Sequence, residues 1–170
     1  ETGTEAAAWE PLQRNLPELG SSSWFSVFDT GEEDLRWRLA MIDTARVSLD
    51  LQYFLWLEDA VGALLFERLL LAADRGVRVR LLVDDSFLSG EDPVVLALDT
   101  HPNVDVRIFN PYQLRSGNVL VRYLDNLNDF GRTNHRMHNK LIVADTEVAI
   151  LGCTKIAEYF FGFGTALNFR

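Results

Sequence analysis

The chain has 170 residues, 48% of them hydrophobic, and at this length a fold can bury roughly 68–70% of the unfolded surface, enough for one core. Its 25 acidic and 16 basic residues give a net charge of −9, which excludes a general attraction to nucleic acid or anionic lipid. A single cysteine excludes an internal disulfide, and no apolar run approaches the roughly 18 residues of a membrane-spanning helix. We therefore expect one soluble domain in which any anion site is local.

Helix signals divide the first half of the chain. Residues 1–23, with two prolines and a run of serines, indicate an irregular N-terminal segment. A capping box formed by Thr30 and Glu33 then predicts the start of a first helix. A second helix is predicted over residues 60–75, closed by Gly76, because glycine readily takes the positive φ found just after a helix.

Strand-like runs alternate with these helices. They are apolar or alternating segments at residues 47–55, 77–83, 104–109, 138–144 and 147–151. A short helix near residues 91–99 and a polar helix near 119–130 are predicted between them. This order of elements predicts the α/β class, as a layered α/β/α sandwich with a mixed central sheet.

The stretch HNKLIVADTEVAILG, residues 138–152, contains the candidate functional residues. On a strand, with a rise of about 3.3 Å per residue, His138 and Lys140 point to the same face and can share one ligand. The chain has fourteen arginines but only two lysines, Lys140 and Lys155, and both lie in this part of the sequence. These residues are therefore the candidates for a local anion site.

This stretch resembles the His-x-Lys-x4-Asp-x6-Gly signature, the HKD motif, of the phospholipase D superfamily. His138, Lys140, Asp145 and Gly152 occupy its four places. Flanking segments from SLDLQYFLW to IAEYFFG are similar, in the same order, to the bacterial cardiolipin synthases of that superfamily, over residues 24–170. Because such proteins normally carry two copies of the motif, we expect a phospholipase D-like domain with one motif, truncated before a second copy.

The resemblance implies a phosphatidyltransferase or phospholipase D-type phosphodiester transfer on a phospholipid similar to phosphatidylglycerol. His138 is then the nucleophile that forms a phosphohistidine, and Lys140 holds the phosphate oxygens. A second histidine, from another motif in the same chain or from a homodimer partner, performs acid–base catalysis. Neither a metal nor a cofactor is required. The chain alone is expected to be inactive, and the resemblance implies a soluble domain associated with the surface of the bacterial inner membrane.

Four further positions complete the expected site. Asp145 belongs to the catalytic motif, but its place at the far end of the strand predicts that it fixes the turn by hydrogen bonds. Gly152, Cys153 and Lys155 are expected to line the phosphate, with Cys153 as a small buried residue. Lys155 stands where the family pattern has an asparagine, and a second cation favours ground-state binding of the phosphate.

Two other functions are compatible with the residues. One is a single-motif phosphodiesterase or nuclease that completes its site as a homodimer. The other is a half-site that binds phosphate without turnover. The net charge of −9 favours a lipid substrate over nucleic acid, because nonspecific affinity for nucleic acid comes mainly from basic contacts.

Overall fold

The protein folds into a five-stranded sheet with accompanying α-helices. The computed structural model describes residues 23, 25–57, 59–85, 92–111, 131 and 135–163. The strands are β1 (Ser48–Tyr53), β2 (Arg78–Asp84), β3 (Val104–Phe109), β4 (Lys140–Ala144) and β5 (Val148–Leu151). The helices are α1 (Gly31–Thr44), α2 (Ala60–Asp74) and α3 (Asp92–Asp99), and a 3₁₀ turn covers Glu158–Phe160. The predicted α/β class is confirmed.

β1 is the central strand of the sheet, whose order is β3-β2-β1-β4-β5. The strands β1, β2 and β3 pair in parallel, β4 pairs with β1 in the antiparallel direction, and β5 is antiparallel to β4. The parallel pairs are joined through α2 and α3, as parallel neighbours require a crossover, whereas β4 and β5 form a hairpin. The predicted mixed sheet and the predicted hairpin are both confirmed.

Local capping explains where the helices begin and end. The Thr30 side chain accepts a hydrogen bond from the Glu33 amide at 3.2 Å, which confirms the predicted start of α1. At the start of α2, the Asp59 side chain accepts from the Gly62 amide at 2.9 Å. Gly76 follows α2 with a φ of +93°, the conformation that the sequence predicts for this position.

The core lies between the helices and one face of the sheet. Alternation along the strands places on that face Leu49, Leu51, Val79, Leu81, Val83, Ile142, Ala144 and Ile150. The helices contribute Leu35, Met41, Ile42, Leu65, Leu69 and Leu98 to the same cluster. Full burial of one large aliphatic side chain contributes roughly 1.5–3 kcal/mol. A one-residue slip of β4 would remove its side chains from this core, so packing fixes its register.

The opposite face of the sheet carries polar side chains, including the ion pair between Arg80 and Asp50. The helices α1, α2 and α3 all contribute side chains to the core on the other face, so none of these three belongs to the second helical layer of the predicted sandwich. The predicted polar helix at 119–130 lies outside the described residues. The predicted N-terminal segment, 1–23, also lies outside them except for residue 23.

A buried ion pair supports the end of β1. Arg38, only 1% exposed, donates to the two carboxylate oxygens of Asp34 at 2.9 and 3.2 Å and also to the Tyr53 hydroxyl. Burial raises the pKa of Tyr53 to about 12, an increase that Arg38 opposes and Asp34 reinforces. Tyr53 is the β1 residue opposite Lys140, so this cluster supports the strand end where the candidate site lies.

Candidate active site

His138 lies just before β4 and not within it. The predicted strand over 138–144 is wrong at its start, because β1 ends opposite Lys140 and β4 begins there. One further backbone bond, from the Phe54 amide to the Asn139 carbonyl at 3.1 Å, continues the ladder beyond the strand. The His138 side chain is exposed, and its ring centroid is 4.6 Å from that of Phe54. The candidate nucleophile therefore stands at the open end of a fixed strand.

Lys140 points to the same place as His138. Its side chain is on the core face of β4 and the residue is 7% exposed. Its Nζ lies 2.8 Å from the His138 Nδ1 and 2.7 Å from the His138 carbonyl oxygen. The two side chains that the sequence predicts to share a ligand are thus in direct contact.

The ammonium of Lys140 is in an unfavourable electrostatic environment. Burial lowers its pKa, and the neighbouring charge of Lys155 lowers the pKa further, while Cys153 acts in the opposite direction. Among the described residues, no carboxylate lies within salt-bridge distance of either ammonium. The chain carries a net charge of −9, yet its two lysines are close together and lack an acidic partner in this part of the structure.

Phe54 lies at the centre of this group, and the sequence analysis missed it. The Lys140 Nζ is 5.5 Å from the Phe54 ring centroid and the Lys155 Nζ is 6.0 Å from it, both within the range of a cation–π contact. Its ring also contacts His138. Because Phe54 reads as an ordinary aromatic strand residue, only its place beside the start of β4 shows this role.

The segment that carries Lys155 is pinned to the continuation of β1. The Ile156 amide donates to the Leu55 carbonyl at 3.2 Å, and its carbonyl accepts from the Leu57 amide at 2.9 Å. Just beyond, the Asp59 side chain accepts from the Glu158 amide at 2.6 Å. These bonds hold Lys155 beside the end of β1.

Asp145 lies at the other end of β4. Its carboxylate accepts backbone hydrogen bonds from Arg46, Val47 and Ser48 at 3.0, 2.8 and 2.9 Å. Asp145 and Thr146 both have positive φ, and a turn bond joins the Glu147 amide to the Ala144 carbonyl, as in the type I′ turns of hairpins. This is the turn-fixing position expected from the sequence, and it leaves the carboxylate away from His138.

Gly152 and Cys153 follow β5, where the chain leaves the sheet. The Gly152 amide donates to the Lys140 carbonyl at 3.3 Å, which places this bend next to the site. Cys153 is exposed, so the expectation that it is buried is wrong. The reason is local: the bend carries residues 152 and 153 out of the sheet before the chain returns at Ile156.

Asp84 is a second residue that the sequence analysis missed. It is 1% exposed at the end of β2, and its carboxylate accepts from the Met137 amide at 3.0 Å and from the Arg136 guanidinium at 3.5 Å. It therefore fixes the segment that directly precedes His138. The available signal was a pair of acids, Asp84 and Asp85, directly after an apolar strand, since functional residues gather at the carboxyl ends of parallel strands.

The described residues contain no cluster of three or more histidine, cysteine or acidic residues arranged to hold a metal ion. In the same ranges, every helix is too short or too polar to cross a membrane. Of the other two histidines, His101 contacts Asp74 at 3.2 Å, and His135 is exposed upstream of the site.

Residues 39–156, which include the whole of this site, match the family described as cardiolipin synthase, phospholipase D-like domain. The chain belongs to this family. The match confirms the resemblance seen in the sequence, and it includes the segments that bring His138, Lys140, Phe54 and Lys155 together. The roles of these residues in a reaction are proposals, developed below.

Curated members of the cardiolipin synthase family are similar to the chain over most of its length. Cardiolipin synthase C of Escherichia coli K12 is 46% identical over 129 residues, which are 76% of this chain and 26% of that protein. Cardiolipin synthase B of the same organism is 31% identical over 143 residues, 81% of this chain and 31% of that protein. The chain thus spans between about a quarter and a third of these relatives.

A solved structure, NucT from Helicobacter pylori, has the same fold. It superposes with a TM-score of 0.56 at 17% sequence identity, covering 77% of this chain and 72% of that chain. At this identity the similarity concerns the fold alone. It agrees with the mixed α/β architecture.

Proposed function

We propose that this chain supplies one half of the active site of a cardiolipin synthase-like phosphatidyltransferase, in which His138 forms a phosphohistidine. The substrate is a phospholipid similar to phosphatidylglycerol, reached at a membrane surface. Family membership and the similarity to cardiolipin synthases B and C support this proposal. We assign the second acid–base group to another copy of the motif, in the same polypeptide or in a second copy of this chain.

The contact between Lys140 and His138 carries the proposal. An ammonium only donates hydrogen bonds, so the His138 Nδ1 is the acceptor in its 2.8 Å contact with the charged Lys140. Phosphate oxygens compete for the same ammonium. When a phosphate binds Lys140, the positive charge of the ammonium lies beside the phosphate oxygens. At the same time the Nδ1 lone pair of His138 is released from its hydrogen bond with Lys140.

The proposed reaction consists of two displacements at phosphorus. A ring nitrogen of His138 attacks, an N–P bond forms, the P–O bond to the leaving alcohol breaks, and an acid gives that alcohol a proton. The acceptor alcohol then loses its proton to the same group, attacks phosphorus and breaks the N–P bond. Lys140 balances the negative charge of the nonbridging oxygens in both steps.

The charge of the chain argues against the nuclease alternative. Affinity for a nucleic acid backbone needs several cationic side chains along the path of the backbone. The net charge of the chain, −9, opposes such binding. A lipid phosphate needs only the local cations. We therefore favour the phospholipid, and we propose peripheral association with the membrane surface.

Bis-p-nitrophenyl phosphate provides a test, because p-nitrophenolate leaves without needing a proton. The first displacement should then proceed on this half-site alone and stop at the phosphohistidine. We expect a burst of p-nitrophenolate approaching one equivalent per chain, no steady turnover by a monomer, and a histidine-linked phosphate visible by ³¹P NMR.

Two variants control this experiment. His138→Ala should abolish the burst, whereas His135→Ala, which removes an exposed histidine outside the site, should retain it. A burst that survives in His138→Ala would assign the nucleophile elsewhere. Robust turnover by a chain shown to be monomeric would remove the need for a second half-site.

A further inference from the structure

We propose that Lys155 makes this half-site bind a phosphomonoester, an ester with two negative charges, more tightly than the phosphodiester on which the proposed reaction acts. The inference rests on the proposed function, in which the reacting group is a phosphodiester, and it concerns the strength of binding and not the ester that reacts. It depends on two observations. Lys155 lies beside Lys140, and neither ammonium group has an acidic partner among the described residues.

Lys155 is held close enough to Lys140 for its charge to lower the pKa of that ammonium. Its Nζ lies 5.1 Å from the Phe160 ring centroid and 6.0 Å from that of Phe54, and Phe54 also faces the Lys140 Nζ at 5.5 Å. The two aromatic rings attract the ammonium without neutralising it. The backbone bonds of Ile156 keep this arrangement in place.

The charge balance at the site favours a dianion. A phosphodiester carries one negative charge and leaves one of the two ammonium groups uncompensated. A phosphomonoester has a second pKa of about 6 and carries close to two negative charges near neutral pH. Because Lys140 is buried, an uncompensated charge beside it is unfavourable, and a dianion removes the mutual repulsion of both lysines.

An asparagine at this position, as in the family pattern, behaves differently. Its amide donates a hydrogen bond to a phosphate of either charge and adds no net attraction for the second charge. Lys155 adds a Coulomb term that grows with the charge of the ligand. At a half-buried, solvent-screened position we expect about a tenfold preference for the dianion.

The experiment compares the binding of methyl phosphate, a dianion near neutral pH, with that of dimethyl phosphate, a monoanion. Dissociation constants are measured at fixed ionic strength from the NMR shifts of the His138 ring. The wild-type chain should bind methyl phosphate about tenfold more tightly. Lys155→Asn should bring this ratio close to one, while Lys155→Arg and the distant, exposed-cation control Arg78→Asn should retain it.

The outcomes separate this inference from the proposed function. If neither probe binds, the proposed function fails. If dimethyl phosphate binds and Lys140→Met abolishes that binding, but the dianion is not preferred or the preference survives in Lys155→Asn, this inference alone is overturned. Short-chain phosphatidate identifies the source of the phosphate. If short-chain phosphatidate binds more tightly than methyl phosphate, the phosphate comes from a lipid. If the two bind equally, it comes from a free phosphate ester. Both results support the inference when the preference for the dianion requires Lys155.

Discussion

Replacing Asp145 should destabilise the fold even though its carboxylate lies away from the candidate nucleophile. The carboxylate receives the amides of Arg46, Val47 and Ser48 at 2.8 to 3.0 Å. One hydrogen bond to a charged group contributes roughly 1.5–3 kcal/mol, but these three share one half-exposed carboxylate. We therefore expect Asp145→Ala to lower the free energy of unfolding by about 3 kcal/mol. Asp145→Asn retains one acceptor oxygen and should lower it by about 1.5 kcal/mol.

The same contact predicts a dependence on pH. Burial acts to raise the pKa of Asp145, but the three backbone amides and the charge of Arg46 outweigh it, so the pKa falls below its ordinary value of 3.8. The stabilisation is therefore present above pH 3.8 and is lost as the pH falls through the folded-state pKa. The free energies of unfolding of the wild type and Asp145→Asn, measured in urea, should thus differ at neutral pH and become equal in acid. Glu147→Gln, an exposed carboxylate in the same turn, is the control. A neutral-pH difference below about 0.5 kcal/mol for Asp145→Asn would refute the reasoning.

Three further predictions follow from single contacts. In Gly31→Ala the new Cβ would lie 2.6 Å from the Phe161 Cα, so urea unfolding should show a loss of about 1–3 kcal/mol, whereas Gly131→Ala, where a Cβ meets nothing within 4 Å, should change little. Asp84→Asn should slow the p-nitrophenolate burst by roughly 10- to 100-fold while circular dichroism still shows the native fold, and an unchanged burst would contradict a positioning role. Burial and the neighbouring ammonium lower the pKa of Lys140, so its contribution to stability should improve as the pH rises towards 10.5. The stability difference between the wild type and Lys140→Met should change over that range, and a constant difference would contradict the lowered pKa.

Local signals in the sequence predicted much of the fold. The Thr30 cap and Gly76 mark helix ends because each satisfies a requirement of the neighbouring backbone, independent of the rest of the molecule. The contact of His138 with Lys140 was also predictable, since residues two apart near a strand share a side of the sheet. Strand bounds were less well predicted, because a strand extends only as far as its partner does, and β4 begins at Lys140, opposite the last residue of β1.

The residues around the nucleophile depend on which strands become neighbours, and this information is not local. Phe54 joins the site only because β4 pairs with β1, and Asp84 joins it because β2 lies on the other side of β1. A cysteine such as Cys153 is usually a small buried residue, but the bend after β5 exposes it. Lys155 was visible as a departure from the family pattern, whereas its contacts with two aromatic rings required the structure.

The antiparallel pairing of β4 with β1 has a consequence for how the chain folds. The bonds of Asp145 to Arg46, Val47 and Ser48 join positions 97 to 99 residues apart, whereas β1 and β2 are close neighbours in the sequence. Closing the longer loop loses more chain entropy, and distant strand pairings form slowly, so β4 should add last. Until then β1 is an open sheet edge, which other strands can occupy. A strand that occupied this edge first would leave a largely folded protein in which His138 and Lys140 never reach Phe54.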